Sequence, residues 1–338
     1  MKNLLRVFAL TSVLMLVQHN LFAQDEDKGD KGDKGDKGDK KYAFVKTKAV
    51  NKSYNVSSND KLNIENQFGK VEIRTWDRNE IKVDVSIEVS SDNEDAAQKL
   101  IDNISVSDNQ SGRDISFKTN FKDKNNRNDN GKNVRTSMHI NYSVSMPAGN
   151  PLRVDNQFGA TIIPDMRGEV ELTSKFGSLT TGTLSNIKTV NVEFGKAKFE
   201  SVANGTVTVK YSKAEFDKLV GNIKLNLEFC GKTRVNMDNS LTGLDVKASY
   251  SSLNLKPTSD LSASYTISTS FGSLRNNTSI KFDSDGDGGD GHGPQFDHKY
   301  TGKSGSGSVQ VKVNTSFGSV VLGEDAGGKG ERGRQRTS

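Results

Sequence analysis

The chain has 338 residues and one cysteine, Cys230. A single cysteine excludes an internal disulfide, so stability must come from packing. The thiol reads as a small buried residue in a turn, the common habit of a free cysteine; a reactive nucleophile is the other reading. Apolar residues are also scarce, at 32% against 26% charged. That is too little for a thick globular core, but enough for elongated β-structure in which each coil buries few side chains. Excess charge of one sign is missing as well. The formal net charge is +5, falling to +3 when Lys2 and Arg6 are discounted as part of a leader. Nucleic acid is therefore not an expected partner; the one basic concentration is Arg332, Arg334 and Arg336 near the end. Walker, nucleophile-elbow and zinc-protease motifs are absent from the sequence. No catalytic residues are assigned, and the chain is read as a non-enzyme.

What is present comes in blocks. Residues 1–23 read as a secretory signal peptide: Lys2 and Arg6, an apolar run, then Ala23 as a small residue for cleavage. The run is too short to predict a membrane span, so the mature chain is expected to lack a transmembrane segment. Residues 24–41 repeat Lys-Gly-Asp. Without proline this is no collagen triplet, and it predicts a hydrated flexible linker. Residues 42–150 form an atypical first section. Alternation through Ile81, Val83, Val85, Ile87 and Val89 is strand period. At 92–104 the period changes: Ala96, Ala97, Leu100, Ile101 and Ile104 share one helical face behind Asp92, Glu94 and Asp95. Acidic residues suit a helix N-terminus, so one short helix is predicted there. Further strands are expected at 115–121 and 138–146, with a solvated polar loop at 122–135 between them.

Residues 151–323 say nearly the same thing repeatedly. Aromatic residues fall at Phe158, Phe176, Phe194, Tyr211, Phe229 and Tyr250, with later copies at Phe271 and Phe317 and an earlier one at Phe68. The first three intervals in the main run are 18, 18 and 17 residues. Four positions before each ring stands an aliphatic residue: Ile64, Val154, Leu172, Val190, Val207, Leu225, Val246, Ile267 and Val313. Gly or Ser follows each ring directly, except at Cys230. Three and five positions on, the chain is mostly apolar again. A fixed period of this length marks a repeat architecture. The fold class predicted is all-β, a parallel β-solenoid with coils of about 18 residues, stacked about 4.8 Å apart into a rod on the order of 40 Å long. A closed up-and-down barrel or a sandwich would need hairpins, and turn signals such as Asn204-Gly205 are sparse among the repeats. The aromatics are expected inside, as a ladder above the aliphatic column, with the small residue giving the backbone room to turn beside each ring. A buried ring predicts a cost of about 3–5 kcal/mol for Phe194→Ala. Taking Gly231 as the small residue of its copy makes Cys230 a one-residue bulge and restores Val235 to the apolar column.

The last interval, from Phe271 to Phe317, holds an acidic, Gly-rich stretch at 283–308 that is expected to loop out of one coil. Its start places Asp283, Asp285 and Asp287 at alternating positions before Gly288. That spacing opens a calcium loop, so these three are the candidate metal ligands and Ca2+ the candidate cofactor. The bidentate Glu expected at the twelfth position is replaced by Pro294, and a plain soluble acidic loop is the alternative. His292 and His298 flank Asp297 in the same stretch. Residues 324–338 should form a disordered basic tail. Lys175, Glu193, Lys210 and Glu228, each just before a ring, read as a mixed-sign column of compensating surface charges.

The phrases Leu62-Asn63-Ile64-Glu65-Asn66-Gln67-Phe68-Gly69 and Val154-Asp155-Asn156-Gln157-Phe158-Gly159, with the later Ser-Phe-Gly-Ser copies, resemble the bacterial putative-adhesin repeat family, akin to the head-domain autotransporter adhesins of Bacteroidetes. The resemblance spans about residues 42–322. It implies an exported β-solenoid without established enzymatic activity. The leading reading of the chain is an adhesin-like or envelope interaction protein, in the periplasm or on the cell surface, whose partner is not identified, an envelope or cell-surface glycan or protein being the candidate. A polysaccharide-active enzyme on the same scaffold and a periplasmic partner in envelope-stress signalling are the alternatives.

Overall fold

Each repeat lays down one strand before its aromatic residue and one after it, because apolar and polar residues alternate on both sides. The computed structural model describes residues 41–122, 134–285 and 296–324, and everything below lies within the compact unit Tyr42–Ser338. The described chain is all-β apart from one helix, and its 24 strands share one continuous hydrogen-bonded sheet. The leader, the linker, the tail beyond Glu324, most of the loop expected at 122–135 and residues 286–295 lie outside the described residues.

The strands before the rings pair in parallel. Leu152–Gln157 lies against Val170–Lys175, followed by Ile187–Glu193, the second half of Lys196–Lys210, Leu219–Glu228 and Leu241–Ser249. The strands after the rings do the same: Ala160–Ile163, Ser178–Leu184, the start of Lys196–Lys210, Lys213–Phe216, Lys232–Met237 and Ser252–Pro257. Register is kept from repeat to repeat, with Leu172 opposite both Val154 and Val190. The aliphatic column is therefore continuous, and none of its nine members is more than 2% exposed. Beyond the rings, Phe199, Phe216, Val235 and Leu255 form the matching column. Val235 reaches it only because Cys230 is an extra residue, as the sequence suggested.

The aromatic residues themselves are not in the core. All nine are corner residues with φ between 49° and 63°, the left-handed region that side-chain-bearing residues rarely occupy. Eight of the rings are 43–53% exposed, and Phe68 is half-buried. The expected internal ladder thus runs along the outside. The physical reason is parity: inward positions lie two and four residues before the ring, but three and five after it. The left-handed residue and its small neighbour turn the chain between the two strands, so the ring swings out. The interior does hold one aromatic stack, Phe199 on Phe216, with centroids 4.7 Å apart.

Both ends depart from simple sequential stacking. The first copy, Lys61–Gln67, pairs with Leu152–Gln157, and the residues between them fold back as a cap. Within it Glu80–Ser91 pairs antiparallel with both Phe44–Asn55 and Thr136–Pro147, while Thr136–Pro147 covers Val71–Trp76. The hairpin Ile104–Ser111 with Asp114–Phe121 covers Lys61–Gln67. The helix Glu94–Asn103 falls where predicted. Asn93 caps it by accepting a 2.9 Å hydrogen bond from the Ala96 amide, and Ala97 and Ile101 are its buried residues. Phe44–Asn55 and Ile104–Ser111 are strands that the sequence reading did not anticipate.

At the other end, residues 283–308 are not a plain loop. Asp297–Lys303 pairs antiparallel with Ala263–Ser270, and Phe282–Ser284 pairs with Asp297–Lys303 in turn. With that outer edge occupied, the final copy sits one place further in. Val309–Ser316 lies between Leu241–Ser249 and Ala263–Ser270, and Ser319–Leu322 between Ser252–Pro257 and Ser273–Asn276. The last repeat in sequence is therefore the last but one in space.

Candidate functional site

The outer corner is the most distinctive surface. The corner amides still donate to the neighbouring segment, as from Phe176 to the Glu193 carbonyl at 3.0 Å and from Tyr250 to that of Ser316 at 2.9 Å. This locks the rings to the strand spacing. Stacked centroids run 5.1, 4.9, 4.9, 4.9, 5.0, 4.8, 4.8 and 4.9 Å from Phe68 to Phe271, within 8° of parallel. Phe296 adds one more ring beyond Phe271 at 4.7 Å, and Phe121 closes the opposite end edge-on to Phe68. Ring faces are thus occupied by other rings; what the row shows to solvent is its edges.

Where glycine directly follows a ring, close approach requires it. A Cβ on Gly177 would stand 1.9 Å from the Gly159 carbonyl oxygen, and one on Gly195 2.0 Å from that of Gly177. In the following coils this place is taken by side chains that turn inward. Ser212 Oγ accepts from the Gly195 amide at 2.9 Å and donates to the Lys210 carbonyl at 2.7 Å. Ser251 Oγ accepts from the Cys230 amide at 3.0 Å. Cys230 Sγ donates to the Val209 carbonyl at 3.1 Å. Burial pushes this thiol above its ordinary pKa, which opposes thiolate formation and fits the structural reading of Cys230.

A shallow groove of about 590 Å³ runs along the corner, walled by Phe176, Phe194, Tyr211 and Phe229. Its floor is the backbone of Gly177, Gly195 and Gly231, and Lys196 and Lys213 form the far rim. On the other side of the rings the mixed-sign column does compensate itself: Lys175 pairs with Glu193 at 3.3 Å and Lys210 with Glu228 at 2.8 Å. The lysine rim went unnoticed in the sequence, although its signal was there. Lys196, Lys213 and, past the extra residue, Lys232 occupy one offset in three successive copies.

The candidate calcium ligands are not gathered in the described residues. Asp283 lies in the short strand opposite Thr301, and Asp285 follows it, its amide donating to the Lys299 carbonyl at 3.1 Å. Both are exposed. Asp287 and His292 lie outside the described residues, and His298 stands in Asp297–Lys303. Among the described residues no cluster of three or more His, Cys, Asp or Glu is placed to hold a metal, and no helix is long and apolar enough to cross a membrane.

No protein-family model matches the chain, and no curated protein matches it. Solved structures that are similar over most of their length include the following three. A putative cell adhesion protein from Clostridium sporogenes is 12% identical with a TM-score of 0.27, covering 83% of this chain and 100% of its own. A putative adhesin from Bacteroides fragilis is 11% identical with a TM-score of 0.36, covering 81% and 97%. A putative lipid binding protein from Parabacteroides distasonis is 10% identical with a TM-score of 0.32, covering 82% and 97%. At such identities and TM-scores, function has to be argued from this chain's own surface.

Proposed function

We propose that the chain is an exported, non-enzymatic parallel β-solenoid that acts as an adhesin-like interaction protein of the cell envelope. The observation that carries the reading is the row of stacked, outward-facing rings. Mutual stacking accounts for the choice of aromatics at the corner. It does not remove their outer edges from water, and a contiguous apolar strip of this kind marks interaction surfaces. A repeat scaffold extends such a strip by one ring per coil, which suits a partner that is itself extended.

The test is retention of the purified full chain on envelope preparations of the producing cells, together with protease accessibility on intact cells. Asn tolerates the left-handed conformation, so a Phe176→Asn, Phe194→Asn, Tyr211→Asn variant removes rings while keeping the corner. Retention of the wild-type chain, lost in a variant that still melts cooperatively, supports the reading. Equal retention of both chains, or retention of neither, overturns it. Cleavage on intact cells places the protein on the surface; protection places it in the periplasm.

A further inference from the structure

The lysine rim of the corner groove is electrostatically out of keeping with its surroundings. Lys196 pairs in register with Lys213 on the adjacent parallel strand. Like charges directly opposite on neighbouring strands are destabilising. Two residues further along the same strands the charges alternate: Glu215 stands opposite Lys198 and is reached by Arg234 at 2.8 Å, and Lys198 also reaches Asp217, just past the strand, at 3.8 Å. Across the rings Lys175 and Lys210 are also paired. Lys196 and Lys213 have no ion pair among the described residues, and both are exposed. The sequence thus balances the neighbouring columns and leaves Lys196 and Lys213 without a counter-charge.

Three features of the groove select its occupant. The two positive groups stand side by side along the stacking axis, one strand interval of about 4.8 Å apart, which suits a linear partner bearing negative charge on successive units, more than a molecule with one anionic head. The ring faces are taken up by each other, so planar bases cannot stack there, whereas the weakly positive ring edges suit oxygen atoms. The floor is already hydrogen-bonded: the Lys196 amide donates to the Gly177 carbonyl and the Lys213 amide to that of Gly195, both at 3.2 Å. An added peptide strand needs an open sheet edge, and the floor offers none.

We propose that this groove binds a linear acidic polysaccharide, with uronate carboxylates on Lys196 and Lys213 and sugar oxygens along the edges of Phe176, Phe194 and Tyr211. The proposal rests on the reading of the corner as an interaction surface and names its ligand class.

The experiment measures binding of the purified full chain to polygalacturonate oligosaccharides at low salt. Comparators are an uncharged gluco-oligosaccharide of equal length, poly-glutamate, and phosphatidylglycerol vesicles. Polygalacturonate is expected to bind tightest, and a Lys196→Gln, Lys213→Gln variant to lose about ten-fold in affinity, the scale of two or three exposed charge contacts. The same variant should melt no lower than wild type, since it relieves repulsion. Lys82→Gln, Lys118→Gln removes equal charge from the N-terminal cap and should leave binding unchanged. No polygalacturonate binding, equal losses in both double variants, or tighter binding to poly-glutamate or vesicles would each overturn the proposal. A chain retained on envelopes that ignores polygalacturonate keeps the envelope reading and removes this ligand; the converse pattern separates the two the other way.

Discussion

A bulky residue with positive φ costs about 1–2 kcal/mol relative to ordinary backbone, and this chain places one at each of nine corners. Stacking of one aromatic pair returns about 0.5–1.5 kcal/mol beyond area burial, and an interior ring such as Phe194 has two neighbours. The strain and the stacking are therefore of similar size. Phe194→Ala loses both stacks and some apolar contact but keeps the strained φ, and should cost about 1–2 kcal/mol. That is well below the 3–5 kcal/mol typical of a buried ring. Phe194→Gly removes the strain as well and should be no less stable than the Ala variant, the reverse of the usual order in strands. Urea midpoints of the three chains decide it; a loss of 3–5 kcal/mol in the Ala variant would put the ring back in the core. The spacing of the rings was legible in the sequence, but their direction was misread. Val190 and Val192 precede Phe194 at even offsets, whereas Ala197 and Phe199 follow it at odd ones. That change of parity announces a corner.

At the scale of strand and turn, the glycine column sets how closely coils can approach. Gly177 has an ordinary φ, so Gly177→Ala carries no conformational penalty. Its cost comes from a Cβ 1.9 Å from the Gly159 carbonyl oxygen. Backbone must move on both coils, and a loss of about 2–4 kcal/mol is expected. Gly112 is the converse case, with a φ of +59° and open space around its Cβ position; Gly112→Ala should cost about 1 kcal/mol from strain alone. Thermal or urea unfolding of the two variants separates crowding from conformational strain, and equal losses would show that the column is not the limiting contact. Elements with strong periodicity were legible: the repeats, the helix behind Asn93, the Cys230 insertion. Phe44–Asn55 and Ile104–Ser111 were not, because they lie on the outside of the cap and most of their residues are only partly buried or exposed. Their strand character comes from the edges they cover.

For the molecule as a whole, charge makes stability fall with acid. Glu171 accepts from Lys61 at 2.8 Å and from Lys188 at 3.1 Å. The Lys61 hydrogen bond, reinforced by Lys188 against the opposing effect of burial, holds its carboxyl below the ordinary value of 4.5. A lowered folded pKa gives stability that is present above the unfolded value and lost as pH falls through the folded one. Glu171→Gln should therefore lower the urea midpoint at pH 7 and shrink the difference between pH 7 and about pH 3. Asp155 has the opposite sign. Burial raises its pKa and its Oδ1 has no hydrogen-bond partner, so stability falls as pH rises through its titration. Asp155→Asn should stabilise at neutral pH and converge with wild type in acid. A Glu171→Gln variant with an unchanged pH profile would show that the pair contributes nothing. The sequence could not reveal this level. Lys61 and Glu171 are 110 residues apart, and they meet only because the first copy of the repeat skips the cap to join the second.

The same skipping at the far end gives the molecule a latch. Synthesis delivers residues 309–322 after both of their neighbours, yet their place is between the two. Without that strand, Leu241–Ser249 and Ala263–Ser270 would each lack the partner they have on their facing edges. Val309–Ser316 thus joins two earlier stretches of the chain that have no direct pairing with each other, and a second copy carries the same joining strand.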